Sequence, residues 1–154
     1  WDHAGSVDPG KLGFLEIAFD GDLLAADLKP DILRHVFIVE TEHTQTVKLA
    51  NGGEMPLTCW CQLNGEYEVL RLRKACEPDA KPQAGIPNTL RFRPSPGLQP
   101  GLDYRVRLHG DLLRDRQGRA IDANHLPPWT SGCRRTGDCI EGGTFFSWFS
   151  ARRG

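Results

Sequence analysis

Residues 90–118 read LRFRPSPGLQPGLDYRVRLHGDLLRDRQG, and two short alternating runs inside them decide the fold class. Leu90 and Phe92 alternate with Arg91 and Arg93, and Tyr104, Val106 and Leu108 enclose Arg105 and Arg107. A period of two sends one row of side chains to a core and the other to water, the habit of an antiparallel strand. Between the runs stands Pro94-Ser95-Pro96-Gly97-Leu98-Gln99-Pro100-Gly101. Its prolines lack the N–H that a helix or a ladder needs, so this segment is a connection. Asp115-Arg116-Gln117-Gly118 after the second run reads as a turn, with Gly supplying a positive φ.

The chain to either side has the same character. Leu15, Ile17 and Phe19 form a first strand, and Asp20-Gly21-Asp22 turns the chain. Residues 23–34 read as a short helical turn interrupted at Pro30. Residues 36–41 form a second strand, residues 44–49 a third, and Asn51-Gly52-Gly53 a turn. Leu57, Cys59, Cys61 and Leu63 share one face of the next strand, with Thr58, Trp60 and Gln62 on the other. Asn64-Gly65 predicts a tight hairpin into a return strand over residues 67–74. Residues 111–143 show no long strand, a span beyond the roughly 12–15 residues at which an irregular loop becomes unusual. Residues 144–150 are apolar on both faces, Phe145 and Phe149 against Phe146 and Trp148, which predicts a central strand between two packed layers or one partly covered by the long loop. About seven to nine short strands separated by turns predict an all-β sandwich.

The order apolar–x–apolar–x–Pro, Leu–x–Pro–Gly, x–Tyr–x–Val–x–Leu, Asp–x–x–Gly–x–x–Ile resembles the C-terminal half of bacterial Ig-like domains of the SbsA type. Phe92, Pro94, Leu98, Pro100, Gly101, Tyr104, Val106, Leu108, Asp115, Gly118 and Ile121 carry it. The strand at 144–150 and the first strand, ending Ile17-Ala18-Phe19-Asp20, fit the same pattern. The resemblance implies an Ig-like β-sandwich from an exported bacterial protein. It implies a non-catalytic spacer, adhesion or assembly domain at the cell surface, and it brings no catalytic residues.

With 154 residues, the chain has room for one domain with its own core. The expected limits are residues 12–151, with tails at 1–11 and 152–154. An apolar fraction of 39%, with 17 Gly and 11 Pro, suits sheets with many turns and one wet face. No apolar run approaches the roughly 18 residues of a membrane span. Residues 1–60 hold ten Asp/Glu against four Lys/Arg, and residues 61–154 ten against fifteen. Such asymmetry suits docking onto an acidic surface, unless these charges only solvate alternating strand positions.

Five cysteines without metal-site spacing favour disulfides and an oxidising compartment, hence an extracellular, cell-surface or periplasmic location. Cys133 and Cys139 bracket a small polar loop, and Cys59 or Cys61 is within a hairpin's reach of Cys76. The Cys59-x-Cys61 spacing is too tight for the usual structural zinc half-site. His3, His35, His43, His109 and His125 show no paired spacing, and no Gly-x-Ser-x-Gly occurs. No catalytic residues, metal site or cofactor are therefore assigned. Asp20, Asp22, Asp111, Asp115 and Asp122 are calcium-type oxygen donors by residue type alone, and fit turn formation better.

Trp129, Arg134, Arg135 and Trp60 are the candidate contact residues. Exposed aromatic rings stack on sugars, and arginines beside them suit a glycan or an acidic partner. The expected partner is a protein or a cell-surface polysaccharide, and the alternative function is a carbohydrate-binding module or an accessory domain of a secreted hydrolase. Arg71, Arg73, Arg91, Arg93, Arg105 and Arg107 form a basic sheet face if their strands are neighbours, but no aromatic stacking platform accompanies it, which argues against a nucleic-acid partner.

Overall fold

The two alternating runs lie in different sheets. The computed structural model describes residues 6–7, 13–19, 21–71, 85–124 and 140–151. Among them are eight strands: β1 (Ser6–Val7), β2 (Leu15–Ala18), β3 (Phe37–Lys48), β4 (Glu54–Gln62), β5 (Gly65–Leu70), β6 (Thr89–Pro94), β7 (Asp103–His109) and β8 (Thr144–Ala151). One α-helix, α1 (Pro30–Val36), precedes β3. One sheet has the order β1-β8-β7-β3-β4 and the other β2-β6-β5. All pairings are antiparallel except β1 with β8. Two mostly antiparallel sheets facing each other make this an all-β sandwich.

The core lies between the sheets and follows the alternation. Leu15, Leu90 and Phe92 face inward from the small sheet, and Phe37, Val39, Tyr104, Val106, Leu108 and Phe149 from the large one. Leu33 and Val36 of α1 close one end with Leu23 and Leu113. Each such side chain contributes about 1.5–3 kcal/mol by leaving water. The connection 94–101 crosses from the small sheet to the large one. Tyr104 anchors it: its hydroxyl accepts the Gln99 N–H at 2.6 Å and donates back to the Gln99 carbonyl at 3.3 Å.

Several local expectations are corrected. Pro30 starts a helix instead of interrupting one, because proline at the first helical turn loses no hydrogen bond. The strands expected at 36–41 and 44–49 are one strand, β3, since neither Glu42 nor His43 breaks a ladder. Asn64-Gly65 is not a hairpin: among the described residues β4 pairs only with β3, whereas β5 pairs with β6 in the opposite sheet. Gly65 serves a close approach there, because a Cβ would collide with the Arg93 carbonyl and the Phe92 ring. Asp115 does form its turn, accepting the N–H groups of Gln117 and Arg119 at 2.8 and 2.9 Å, with Gly118 at φ 81°.

The charge asymmetry along the sequence is consumed inside the fold. Acidic groups of the first half pair with arginines of the second: Glu16 with Arg91, Asp22 with Arg71, Asp27 with Arg114, and Glu40 with Arg105 and Arg107. On the outer face of the small sheet, Glu16, Arg91 and Glu68 stand side by side across three strands. The strands that carry Arg91, Arg93, Arg105 and Arg107 are thus split between two sheets and interleaved with carboxylates, and Arg73 lies outside the described residues.

Candidate functional site

Two surfaces stand out, and both involve β4. The first is an arm. β3 pairs with β7 only from Phe37 to Thr41, yet its pairing with β4 continues to Lys48. The ribbon 42–58 therefore projects roughly 20 Å past the end of β7, at about 3.4 Å per residue. Nearly all of its residues are exposed. Its even-numbered face is polar and includes a Thr44–Thr58 hydroxyl pair at 2.9 Å. Its odd-numbered face continues the inner face of the sandwich into solvent: Val47 is paired with Met55 and Gln45 with Leu57. Met55 is 46% exposed and Leu57 43%. A cleft of about 580 Å³ separates the base of the arm, at Thr41, His43 and Leu63, from the 94–101 connection, at Pro96 and Gln99.

The second surface is the outer face of the large sheet. Register places Trp148 beside Arg105, Arg105 beside Glu40 and Glu40 beside Gln62, with Trp60 opposite Glu42. Glu40 is almost fully buried here. It accepts Arg105 Nε at 2.6 Å and Nη2 at 3.2 Å, and Arg107 Nη2 at 3.0 Å. Burial pushes its carboxyl up, but the Arg105 hydrogen bonds and the two guanidinium charges outweigh this and hold it below the usual range. Arg105, fixed in this way, lies over the Trp60 ring at 4.4 Å. Trp148 is half exposed and meets Phe146 at 5.7 Å between ring centroids. A groove of about 320 Å³ runs among Trp60, Trp148, Phe146 and Arg105, with Glu42 and Asp103 at its rim. Among the described residues the second sheet covers only the inner face of β8, and the long loop expected to cover its other face lies largely outside the described residues.

Of the four candidate contact residues, Trp60 is placed on this groove. Trp129, Arg134 and Arg135 lie outside the described residues, as do Cys76, Cys133 and Cys139. Cys59 and Cys61 are free thiols here, and the bridge expected from one of them to Cys76 involves a residue outside the described ones. The two sulfurs lie 3.7 Å apart because residues two apart on a strand share a face. The shared hydrogen bond with Cys61 raises the Cys59 thiol above its ordinary value.

The aspartates proposed as oxygen donors serve the fold where described. Asp22 meets Arg71, Asp111 accepts the Gly143 N–H at 3.3 Å, Asp115 binds Arg119, and Asp122 accepts the Asn124 N–H at 3.2 Å. Among the described residues no group of three or more His, Cys, Asp or Glu is placed to hold a metal ion, and no helix is long and apolar enough to cross a membrane. Sequence reasoning missed the exposure of Met55 and Leu57. The available signal was the absence of any breaker between Phe37 and Leu49, which allows one strand too long for the body it joins. No family model, curated protein or solved structure matches the chain.

Proposed function

We propose that the chain is a non-catalytic module of an exported bacterial protein, an Ig-like sandwich that serves adhesion or assembly at the cell surface. The observation that carries this reading is the projecting 42–58 ribbon, with Met55 and Leu57 held in water on a face continuous with the core. Exposed apolar surface on an ordered ribbon is the signature of a contact site. The Tyr104 closure onto Gln99 supports the Ig-like reading, since such sandwiches anchor a strand with a tyrosine bonded to backbone a few residues upstream.

The test replaces residues 44–58 by Asn-Gly. His43 and Cys59 then flank a two-residue turn at a hydrogen-bonded pair, so the body is preserved. Intact protein should co-sediment with purified cell-wall sacculi or self-associate, and the shortened chain should do neither. Equal behaviour of the two proteins would refute the reading.

A second reading, carbohydrate binding, rests on the groove between Trp60 and Trp148. Two rings flanking carboxylates and an arginine offer stacking together with hydroxyl recognition. Tryptophan fluorescence should then respond to soluble polysaccharide and lose that response in Trp148→Ala. An unchanged titration in the variant would remove this reading.

A further inference from the structure

The free edge of β4 has a pairing code of its own. Among the described residues β4 is the last strand of the large sheet. It bonds β3 through its odd-numbered residues, since Leu63 N–H donates to the Val39 carbonyl at 2.8 Å and Leu49 N–H to the Gly53 carbonyl at 2.8 Å. An antiparallel ladder alternates, so the backbone groups of Glu54, Pro56, Thr58, Trp60 and Gln62 point away from β3. Pro56 has no N–H to offer at such an outward position, which blunts the tip of the arm against pairing. The donors left on the edge between Pro56 and the body are those of Thr58, Trp60 and Gln62.

We propose that a second copy of this chain pairs along β4, antiparallel and two-fold symmetric about Trp60. This inference rests on the assembly reading above and names its partner. The register is selected by proline. Centring the two-fold on Thr58 or Cys59 sets Pro56 opposite Trp60 or Gln62 of the other copy and wastes a carbonyl on a residue without a donor. Centring it on Trp60 pairs Thr58 with Gln62, Trp60 with Trp60, and Gln62 with Thr58, and moves Pro56 beyond the end of the ladder.

Side chains agree with this register. Leu57, 43% exposed, meets the partly buried Leu63 of the second copy, and Cys59 meets its Cys61. Cys61 and Gln62 are exposed, so the edge is open to an approaching strand. Cysteines directly opposite at a non-hydrogen-bonded position have Cα atoms about 4.5 Å apart, within the range a disulfide spans.

The experiment uses this register as a reporter. Cys59→Ser and Cys61→Ser variants are incubated with oxidised glutathione, separately and mixed. Each bond between copies joins two thiols, which give up two protons and two electrons, and one glutathione disulfide becomes two glutathione thiols. The mixture should yield a covalent dimer whose digest contains a peptide joining Cys59 to Cys61, and neither variant alone should yield it. In sedimentation velocity the wild type should be dimeric. Thr58→Pro removes one outward donor per copy and should raise the dimer Kd about 30-fold, with an unchanged circular dichroism spectrum.

A wild-type chain that stays monomeric up to its solubility limit overturns the inference, and retention by sacculi would still uphold the assembly reading. A dimer indifferent to Thr58→Pro, or one without the Cys59–Cys61 peptide, places the contact elsewhere and also overturns the inference.

Discussion

Glu40→Gln is the most informative single substitution, because it keeps volume and removes one charge from a buried triad. The Glu40 side chain is 7% exposed, and its partners Arg105 and Arg107 are 24% and 32% exposed. It accepts three hydrogen bonds of 2.6–3.2 Å from two guanidinium groups. Hydrogen bonds to charged groups contribute about 1.5–3 kcal/mol each, less where the partner can regain water. A glutamine keeps one acceptor and turns an N–H₂ donor toward a guanidinium. The expected loss is therefore about 2–4 kcal/mol, or a melting point about 5–12 °C lower for a domain of this size.

The pH dependence has a definite sign. The folded carboxyl sits below its ordinary value, so its contribution is complete above that ordinary value and disappears as pH falls through the folded one. The stability gap between wild type and variant, measured by urea unfolding, should close over that acidic window. Arg105 also loses its anchor over Trp60, so tryptophan emission should shift at neutral pH. A loss under about 0.5 kcal/mol, the ordinary scale of a surface substitution, would refute the argument. So would a gap that does not change with pH.

Three further outcomes follow from the same structure. Gly65→Ala drives a Cβ into the Arg93 carbonyl and the Phe92 ring and should lower stability by about 3 kcal/mol or more, read from the urea midpoint; a variant as stable as wild type would show that β5 and β6 separate easily. Ser147→Ala removes a fully buried hydroxyl without a hydrogen-bond partner and should stabilise the domain by about 1 kcal/mol in a thermal melt; a lower melting point would mean that the hydroxyl is bonded. Asp27→Asn weakens the Arg114 clamp, in which the carboxylate takes the backbone N–H at 3.0 Å and the guanidinium at 2.7 Å, and should cost about 1–2 kcal/mol because Arg114 is half exposed. The Arg114 hydrogen bond lowers the Asp27 value despite burial, so this loss should be complete near neutrality and fade as pH falls through the lowered value, in titrated thermal melts.

The fold class was legible because alternation is a local signal. Leu90, Phe92, Tyr104, Val106 and Leu108 all turned inward as their period requires. Sheet membership was not legible. Asn64-Gly65 has the residues of a tight turn, but Leu63 and Tyr67 are drawn into the core, and that burial sends β5 across to β6. Trp60 was recognised as a contact candidate from its face of the strand. The arm was not recognised, because an alternating strand looks the same whether or not a second sheet covers it. What exposes Met55 and Leu57 is the early end of β7 pairing at Thr41, a property of the neighbouring strand and not of β3 or β4.

Hydrogen exchange by mass spectrometry tests the location of the contact most directly. The intact chain would be compared dilute, concentrated, and mixed with purified sacculi. The assembly account predicts added protection confined to residues 42–62. No gain under any of these conditions, or a gain confined to β2, β5 and β6, would contradict it.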